Sequence, residues 1–210
     1  MSNLLLHGLG QNGRSWTEVL NLLQARGMDA RCPDLFGLTE PGARTYPALY
    51  RAFADFCLAQ PGRLNLCGLS LGGVLALDFA KAHPEKMNTL ILIGTPFKIP
   101  RLLFKIQGLI FRLSPESAFA PLGLSKGDFL DLMRSMANLN IAQNLESIPC
   151  PALILCGERD RVNLRYAKSL NQRIPSSRFQ TVTGASHQVN LDNPRALSEL
   201  IFEFWNDSRP

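Results

Sequence analysis

The chain has 210 residues, of which 46% are hydrophobic and 19% are charged, and its formal net charge at pH 7 is +5. This length and composition indicate one folded domain with a proper core, and they exclude a disordered or fibrous protein. Most of the basic residues are scattered along the chain rather than gathered into a stripe with aromatic residues, so we expect no nucleic-acid partner.

Short apolar runs alternate with amphipathic helical segments along most of the chain. The predicted strands cover residues 4–6, 28–32, 64–67, 87–93, 152–156 and 178–183. The predicted helices cover about residues 16–26, 46–59, 71–83, 126–138, 164–173 and 194–205. This alternation predicts an α/β protein with a mostly parallel sheet of about six strands and helices on both faces.

One segment interrupts the alternation. Residues 97–148 separate two predicted core strands that a single helix would normally join, and they contain two helical runs. We interpret this segment as a small helical cap inserted into a single domain that covers residues 1–210. No internal repeat or low-complexity linker suggests a second domain.

The cysteines and the N-terminus indicate the compartment. The five cysteines are Cys32, Cys57, Cys67, Cys150 and Cys156. They are odd in number and lack C-x-x-C spacing, which is typical of free thiols in a reducing compartment. The apolar run at residues 4–6 is too short for a signal peptide, and no run reaches membrane-spanning length. We therefore expect a cytoplasmic protein without stable membrane insertion.

A serine between glycines stands where the third predicted strand meets a helix, in the sequence Gly68-Leu69-Ser70-Leu71-Gly72. A strand, a sharp turn and a helix in direct succession strain the backbone at the serine and expose its hydroxyl at the top of the sheet, as in a nucleophile elbow. Such a hydroxyl needs a base, a carboxylate that orients the base, and N–H donors for the oxyanion. All three should lie on loops at the same edge of the sheet.

The base and the orienting carboxylate are sought among residues that follow predicted strands. His187 follows the last strand, whereas His7 begins a glycine-rich loop and His83 ends a helix. Asp160 follows the strand at 152–156 by a short turn. The chain order Ser70, Asp160, His187 is the one that nucleophile-elbow proteins use.

Other candidates remain open at this point. Glu158 and Asp192 compete for the role of the orienting carboxylate. Asp34 also follows a strand, but it precedes the serine and sits in what reads as a turn-stabilising position. Cys67 and Cys150 are possible nucleophiles, although neither lies on a turn that would expose it.

Together these motifs resemble the α/β-hydrolase superfamily. His7-Gly8-Leu9-Gly10 is similar to its oxyanion motif, and the similar segments elsewhere are 33–37, 68–73, 157–160 and 184–194. The resemblance implies a hydrolase with catalytic Ser70, Asp160 and His187. The topology assigns the oxyanion hole to the backbone N–H groups of Leu9 and Leu71. The family's sheet commonly has two further strands before the oxyanion loop, so we expect a minimal version of the fold.

The expected activity is that of a serine carboxylesterase on a small, apolar ester. Apolar residues of the segment 97–148, including Phe97, Leu102 and Phe104, are predicted to line the substrate pocket; the alternative is that they only pack against the core. The basic residues among them allow a third reading, contact with an anionic membrane surface.

No cofactor is expected, and no metal site either, because the histidines do not cluster with carboxylates at ligand spacing. Two other functions stay open: the same triad acting on a thioester, an amide or a C–C bond, and a non-enzymatic small-molecule sensor. The oligomeric state cannot be read from the sequence.

Overall fold

The described residues form one parallel sheet of five strands in the order of the chain. The structure is a computed structural model that describes residues 1–42, 44–98 and 110–208. The strands are β1 (Ser2–Leu6), β2 (Leu64–Leu69), β3 (Met87–Ile93), β4 (Ala152–Gly157) and β5 (Ser177–Val182). Both β2 and β4 are buried along their whole length, as expected of parallel strands covered on both faces. The predicted α/β class is thus confirmed.

The prediction of about six strands is wrong by one. Residues 28–32 form no strand and contribute a single parallel bridge between Leu4 and Arg31. The N–H of Leu5 donates to the carbonyl of Arg31 (2.8 Å), and the N–H of Arg31 donates to the backbone carbonyl of Asn3 (3.0 Å). The next bond of such a ladder would need an N–H at residue 33, which is a proline and has none. The pairing therefore stops after one bridge.

Helices cover both faces of the sheet. They are α1 (Thr17–Ala25), α2 (Tyr46–Leu58), α3 (Leu71–Ala82), α4 (Lys126–Met136), α5 (Arg161–Arg173), α6 (Val189–Asp192) and α7 (Pro194–Asp207). Residues of α2, α3 and α5 share one apolar core with Leu90 and Leu92 of β3, whereas α1 and α7 share another with Ile91 and Ile93. Alternate residues of a strand thus supply both cores. Each fully buried side chain of this size contributes about 1.5–3 kcal/mol.

The described residues between β3 and β4 pack on the α2 side of the molecule. Phe111, Phe119 and Phe129 form an aromatic cluster with ring centroids 4.7–6.3 Å apart. The N–H of Tyr46, the first residue of α2, donates to Ser135 Oγ of α4 (2.8 Å). Within the described ranges, no helix is both long enough and apolar enough to cross a bilayer.

The close approach of α3 to β1 gives a test of this architecture. A Cβ on Gly72 would lie 2.4 Å from the carbonyl oxygen of Leu6, which belongs to the backbone of the buried end of β1 and cannot move aside as a flexible side chain could. We expect Gly72→Ala to lower the free energy of unfolding by about 1–3 kcal/mol or more. Gly127→Ala is the control, since a Cβ there meets only Ser125 Oγ at 3.7 Å and should stabilise α4 by about 0.5–1 kcal/mol. Urea unfolding measures both, and equal stability of the two variants would contradict this packing.

Candidate active site

Ser70 occupies a strained turn between β2 and α3. Its backbone angles are φ 52° and ψ −111°, a region that residues with a side chain rarely adopt. Such a conformation costs about 1–3 kcal/mol and persists only where the surroundings enforce it. The N–H of Ser70 donates to the carbonyl of Ile93 (2.9 Å), and its carbonyl accepts from Val74 (2.9 Å). The turn is therefore held by both the sheet and the helix.

A hydrogen bond joins Asp160 and His187 at the same edge of the sheet. Asp160 follows β4 and His187 follows β5, and Asp160 Oδ2 lies 2.7 Å from His187 Nδ1. The Asp160 side chain is 5% exposed, whereas that of His187 is 42% exposed. Burial opposes the charge on Asp160, but hydrogen bonds from His187 and Asn163 outweigh it and hold the pKa of this carboxyl below its usual value. An ionised Asp160 keeps a proton on Nδ1 and leaves Nε2 of the imidazole free to accept one.

Gly94, directly after β3, lies between Ser70 and the Asp160–His187 pair. Its neighbour Ile93 accepts the N–H of Ser70, and a Cβ on Gly94 would lie 3.1 Å from His187 Nδ1. In the part of the chain that the structure describes, no hydrogen bond joins Ser70 Oγ to the imidazole. Ser70 and the Asp160–His187 pair thus share one edge of the sheet without a hydrogen bond between Ser70 Oγ and the imidazole, and hydrogen bonds of this kind often tighten only around a bound substrate.

The loop after β1 lies against the serine. A Cβ on Gly8 would be 3.5 Å from Ser70 Cβ, and the following residue, Leu9, is half-buried. Leu71 is the first residue of α3, and N–H groups in the first turn of a helix have no acceptor within the helix. The backbone N–H groups of Leu9 and Leu71 therefore both belong to segments that flank Ser70.

The competing carboxylates have other partners. Glu158 Oε2 accepts from the N–H of Gly184 (2.8 Å), and Asp192 Oδ2 accepts from the N–H of Ser186 (2.7 Å). Both carboxylates hold the loop that carries His187 rather than its imidazole. Asp34 Oδ1 accepts from the N–H of Phe36 (3.3 Å), which is the turn-stabilising contact that its position indicates.

His7 joins two loops beneath the site. It is fully buried, and its Nε2 accepts from the N–H of Leu35 (3.0 Å) while its Nδ1 lies 3.1 Å from the carbonyl oxygen of Gly8. Burial lowers the pKa of His7, and the Gly8 carbonyl and Asp34 only partly offset it. The imidazole is therefore neutral near pH 7, with its proton on Nδ1. His83 lies elsewhere, 3.7 Å from Glu85.

The thiols are unsuited to nucleophilic chemistry at neutral pH. Burial raises the pKa of Cys67, and it raises that of Cys150 to about 11. A thiol is a nucleophile as its thiolate, so both side chains are inert under ordinary conditions. Among the described residues, no group of three or more His, Cys, Asp or Glu is arranged to hold a metal ion.

The predicted pocket residues fall in two groups. The Phe97 ring packs edge-to-face on Tyr166 (centroids 5.5 Å apart) and lies 5.7 Å from the Arg173 guanidinium, so this side chain contacts α5. Leu102 and Phe104 lie outside the described residues.

Sequence analysis did not identify three side-chain amides at the site, those of Asn163, Gln11 and Asn190. Asn163 Nδ2 donates to both oxygens of Asp160 (3.0 and 2.9 Å), and its N–H donates to Oδ1 (3.1 Å). The signal for Asn163 is present, because Asp160 is the N-cap of α5 and an N-cap side chain bonds the residue three positions on. Gln11 and Asn190 contact each other across 179 positions of sequence. No local sequence pattern predicts that pair.

The sequence and the fold belong to a known protein family. The sequence model of the Alpha/beta hydrolase family matches residues 4–200, so the chain belongs to that family. The resemblance noted from the motifs is thereby confirmed. A putative 2-succinyl-6-hydroxy-2,4-cyclohexadiene-1-carboxylate synthase from Bacillus subtilis is 25% identical over 95% of this chain and 88% of its own length.

Two further relatives are named as esterases. A pimeloyl-[acyl-carrier protein] methyl ester esterase from Aromatoleum aromaticum is 42% identical, in an alignment that covers 56% of this chain and 42% of that protein. The structure of a thermophilic esterase from Thermogutta terrifontis superposes with a TM-score of 0.83, covering 100% of this chain and 91% of that chain at 22% identity. The family and these relatives together support hydrolase activity.

The lowered pKa of Asp160 has a measurable consequence for stability. Because the native pKa lies below the unfolded value of about 3.9, the ionised carboxylate stabilises the native state above that pH. This contribution is lost as the pH falls through the native pKa. The difference in free energy of unfolding between the wild type and Asp160→Asn should therefore be largest at about pH 5 and shrink towards pH 3.

Urea unfolding at several pH values measures this difference. Asp55→Asn, on an exposed position of α2, is the control and should keep the wild-type pH dependence. A difference for Asp160→Asn that stays constant between pH 5 and 3 would contradict the lowered pKa.

Proposed function

We propose that this protein is a serine hydrolase that cleaves carboxylic esters, with Ser70 as the nucleophile, His187 as the general base and Asp160 as the orienting carboxylate. The observation that carries the proposal is the 2.7 Å hydrogen bond between Asp160 and His187, at the edge of the sheet where a strained turn presents Ser70. A serine on a strained turn, at the sheet edge that carries a buried carboxylate hydrogen-bonded to a partly exposed imidazole, fits the arrangement that acyl transfer uses.

The first half of the reaction forms an acyl-enzyme. Ser70 Oγ attacks the ester carbonyl carbon while His187 Nε2 takes the hydroxyl proton. Asp160 stabilises the resulting imidazolium through Nδ1, and the N–H groups of Leu9 and Leu71 donate to the oxyanion. The imidazolium then protonates the leaving alcohol as the C–O bond breaks. One oxyanion donor typically accounts for about 10²–10³ in kcat.

The second half releases the acid. Water attacks the acyl carbon, His187 Nε2 takes its proton, and the same donors hold the second oxyanion. The imidazolium returns the proton to Ser70 Oγ as the acyl bond breaks. The partly exposed imidazole supports this step, because a water molecule must reach it from solvent.

The substrate class is inferred from relatives and from the sequence. Two of the proteins described above carry the name esterase, which supports an ester as the scissile group. We propose that residues 97–148 form a cap over the site, with Phe97, Leu102 and Phe104 lining an apolar pocket. A small ester with an apolar acyl or alcohol group fits such a lining.

Labelling and turnover test the nucleophile. The wild type should react with a fluorophosphonate probe and hydrolyse p-nitrophenyl esters, with a chain-length profile that reports the size of the pocket. Ser70→Ala should abolish labelling and lower kcat by roughly 10⁶. Labelling that persists in Ser70→Ala would assign the nucleophile elsewhere.

A pair of substitutions tests the orienting carboxylate. Asp160→Asn should lower kcat by about 10⁴, because an amide cannot hold Nδ1 protonated or stabilise the imidazolium. Glu158→Gln should keep most of the activity, since Gln can still accept from the N–H of Gly184. Steady-state kinetics of both folded variants distinguishes the two carboxylates. Loss of activity in Glu158→Gln, with activity kept in Asp160→Asn, would make Glu158 the orienting carboxylate.

A second candidate function is supported by the Bacillus subtilis relative, which carries the name of a synthase rather than an esterase. The same triad would then act on a bond other than a simple ester. Rapid labelling of Ser70 combined with no turnover of any ester, thioester or amide would favour this candidate or a small-molecule sensor. Fast multiple turnover of esters would exclude both.

A further inference from the structure

A buried pair of side-chain amides joins the glycine-rich loop that contains Leu9 to the segment that follows His187. Gln11 lies in the glycine-rich loop, and Asn190 lies in α6, three residues beyond His187. Gln11 Nε2 donates to Asn190 Oδ1 (3.1 Å), and Asn190 Nδ2 donates back to Gln11 Oε1 (3.3 Å). The two residues are 5% and 1% exposed. Neither amide therefore exchanges these partners for water.

The pair is anchored on the side of the glycine-rich loop. Asn190 Nδ2 also donates to the carbonyl of Ser15 (2.8 Å), which fixes which end of that amide carries the nitrogen. Gln11 Oε1 accepts from the N–H of Gly8 (3.4 Å), and the N–H of Gln11 donates to the carbonyl of Gly8 (3.2 Å). Both the side chain and the backbone of Gln11 thus close the turn at residues 8–11.

This turn determines the direction of the Leu9 N–H. Leu9 and Gly10 are its two central residues, and Gly10 has φ 85°, the left-handed value required at the third position of a type II turn. Gly8 at the start of the turn lies against Ser70. The peptide group that carries the Leu9 N–H is thus held through the Gly8 carbonyl by Gln11 and by His7 Nδ1, and a displacement of Gln11 would remove one of these two restraints.

At the other end, Asn190 is tied to the base. The N–H groups of Leu191 and Asp192 donate to the carbonyl of Gln188 (2.8 and 2.9 Å), the residue that follows His187. α6 is thus continuous with the loop that carries the imidazole. We propose that Gln11 and Asn190 are positioning residues that hold the Leu9 N–H and the His187 imidazole in the correct position relative to each other. This inference rests on the proposed function, because it assigns a task to the oxyanion donor and the base.

The chain offers a matched control for buried amides in general. Asn65 lies at the opposite end of the sheet, is 4% exposed, and bonds Asn3, Asn88 and Thr89, each at 2.7 Å. The hydrogen bonds of Asn65 also join separate elements. Asn65 is nevertheless remote from Ser70, because Asn65 lies near the start of β2 and Ser70 follows the end of β2. A purely structural role for Gln11 and Asn190 would make all three amides behave alike.

Kinetics of Gln11→Met, Asn190→Leu, the double variant and Asn65→Leu tests the proposal. Each single change at residues 11 and 190 should lower kcat on a p-nitrophenyl ester by about 10-fold to 100-fold, with KM nearly unchanged, because an oxyanion donor acts in the transition state. The affinity for a trifluoromethyl ketone, which forms an oxyanion adduct, should fall by a similar factor. The double variant should be no worse than the poorer single variant, since the two amides act as a unit. Asn65→Leu should lose stability and keep kcat.

Three results would overturn the proposal: an unchanged kcat in a folded Gln11→Met or Asn190→Leu protein, a multiplicative loss in the double variant, or an equal fall of kcat in Asn65→Leu. Hydrogen exchange gives a readout that does not depend on turnover. Asn190→Leu should speed exchange at the backbone amides of residues 8–12, on the far side of the pair, and unchanged exchange there would refute the coupling.

Failure of the proposed function and failure of the positioning role give different experimental results. A wild type that neither labels nor turns over esters refutes the proposed function, and the role of the pair in catalysis falls with it, whatever the exchange rates. A wild type that turns over esters while Gln11→Met and Asn190→Leu keep its kcat refutes the positioning role alone.

Discussion

The strained backbone at Ser70 is the constraint on which the rest of the site depends. A residue with a side chain holds φ 52° there only because its neighbours leave it no alternative. Those neighbours are β2, which is buried throughout, and α3, which approaches β1 so closely that Gly72 has no room for a Cβ. The hydrogen bond from Ser70 N–H to Ile93 adds β3 to the same restraint. The strands β1, β2 and β3 therefore all help to hold one serine in place.

The second constraint is electrostatic. Asp160 is almost fully buried, and a buried carboxylate stays ionised only when donors surround it. His187 supplies one donor, and Asn163 supplies its side-chain amide and its backbone N–H. The same carboxylate caps α5, so the start of a helix and the orientation of the imidazole depend on one side chain. Stability and chemistry are coupled at this residue.

The sequence predicted best the features whose physical signal is local. Apolar runs and glycine spacing identified the parallel α/β fold, and the turn at Ser70 needs only five consecutive residues to be recognised. The missing strand at 28–32 follows from Pro33, a signal that was present but outweighed by the apolar pattern. The sequence favoured Asp160 over Glu158 and Asp192 only through the chain order Ser70, Asp160, His187, because no local pattern determines which carboxylate faces the imidazole. That choice depends on side-chain directions within a few ångströms, as does the Gln11–Asn190 pair.

The groups that position this site are mostly neutral, and this has a chemical reason. Gln11, Asn163 and Asn190 carry no charge at any pH, and burial keeps His7 neutral as well. A carboxylate in place of one of these amides could not donate the hydrogen bonds that Asn163, Asn190 and Gln11 donate, and it would add a second negative charge near His187. Amides fix distances without adding to the field at the imidazole. The charge that acts on His187 can then come from Asp160 alone among its hydrogen-bonded partners, so a single carboxylate sets the tautomer of the imidazole.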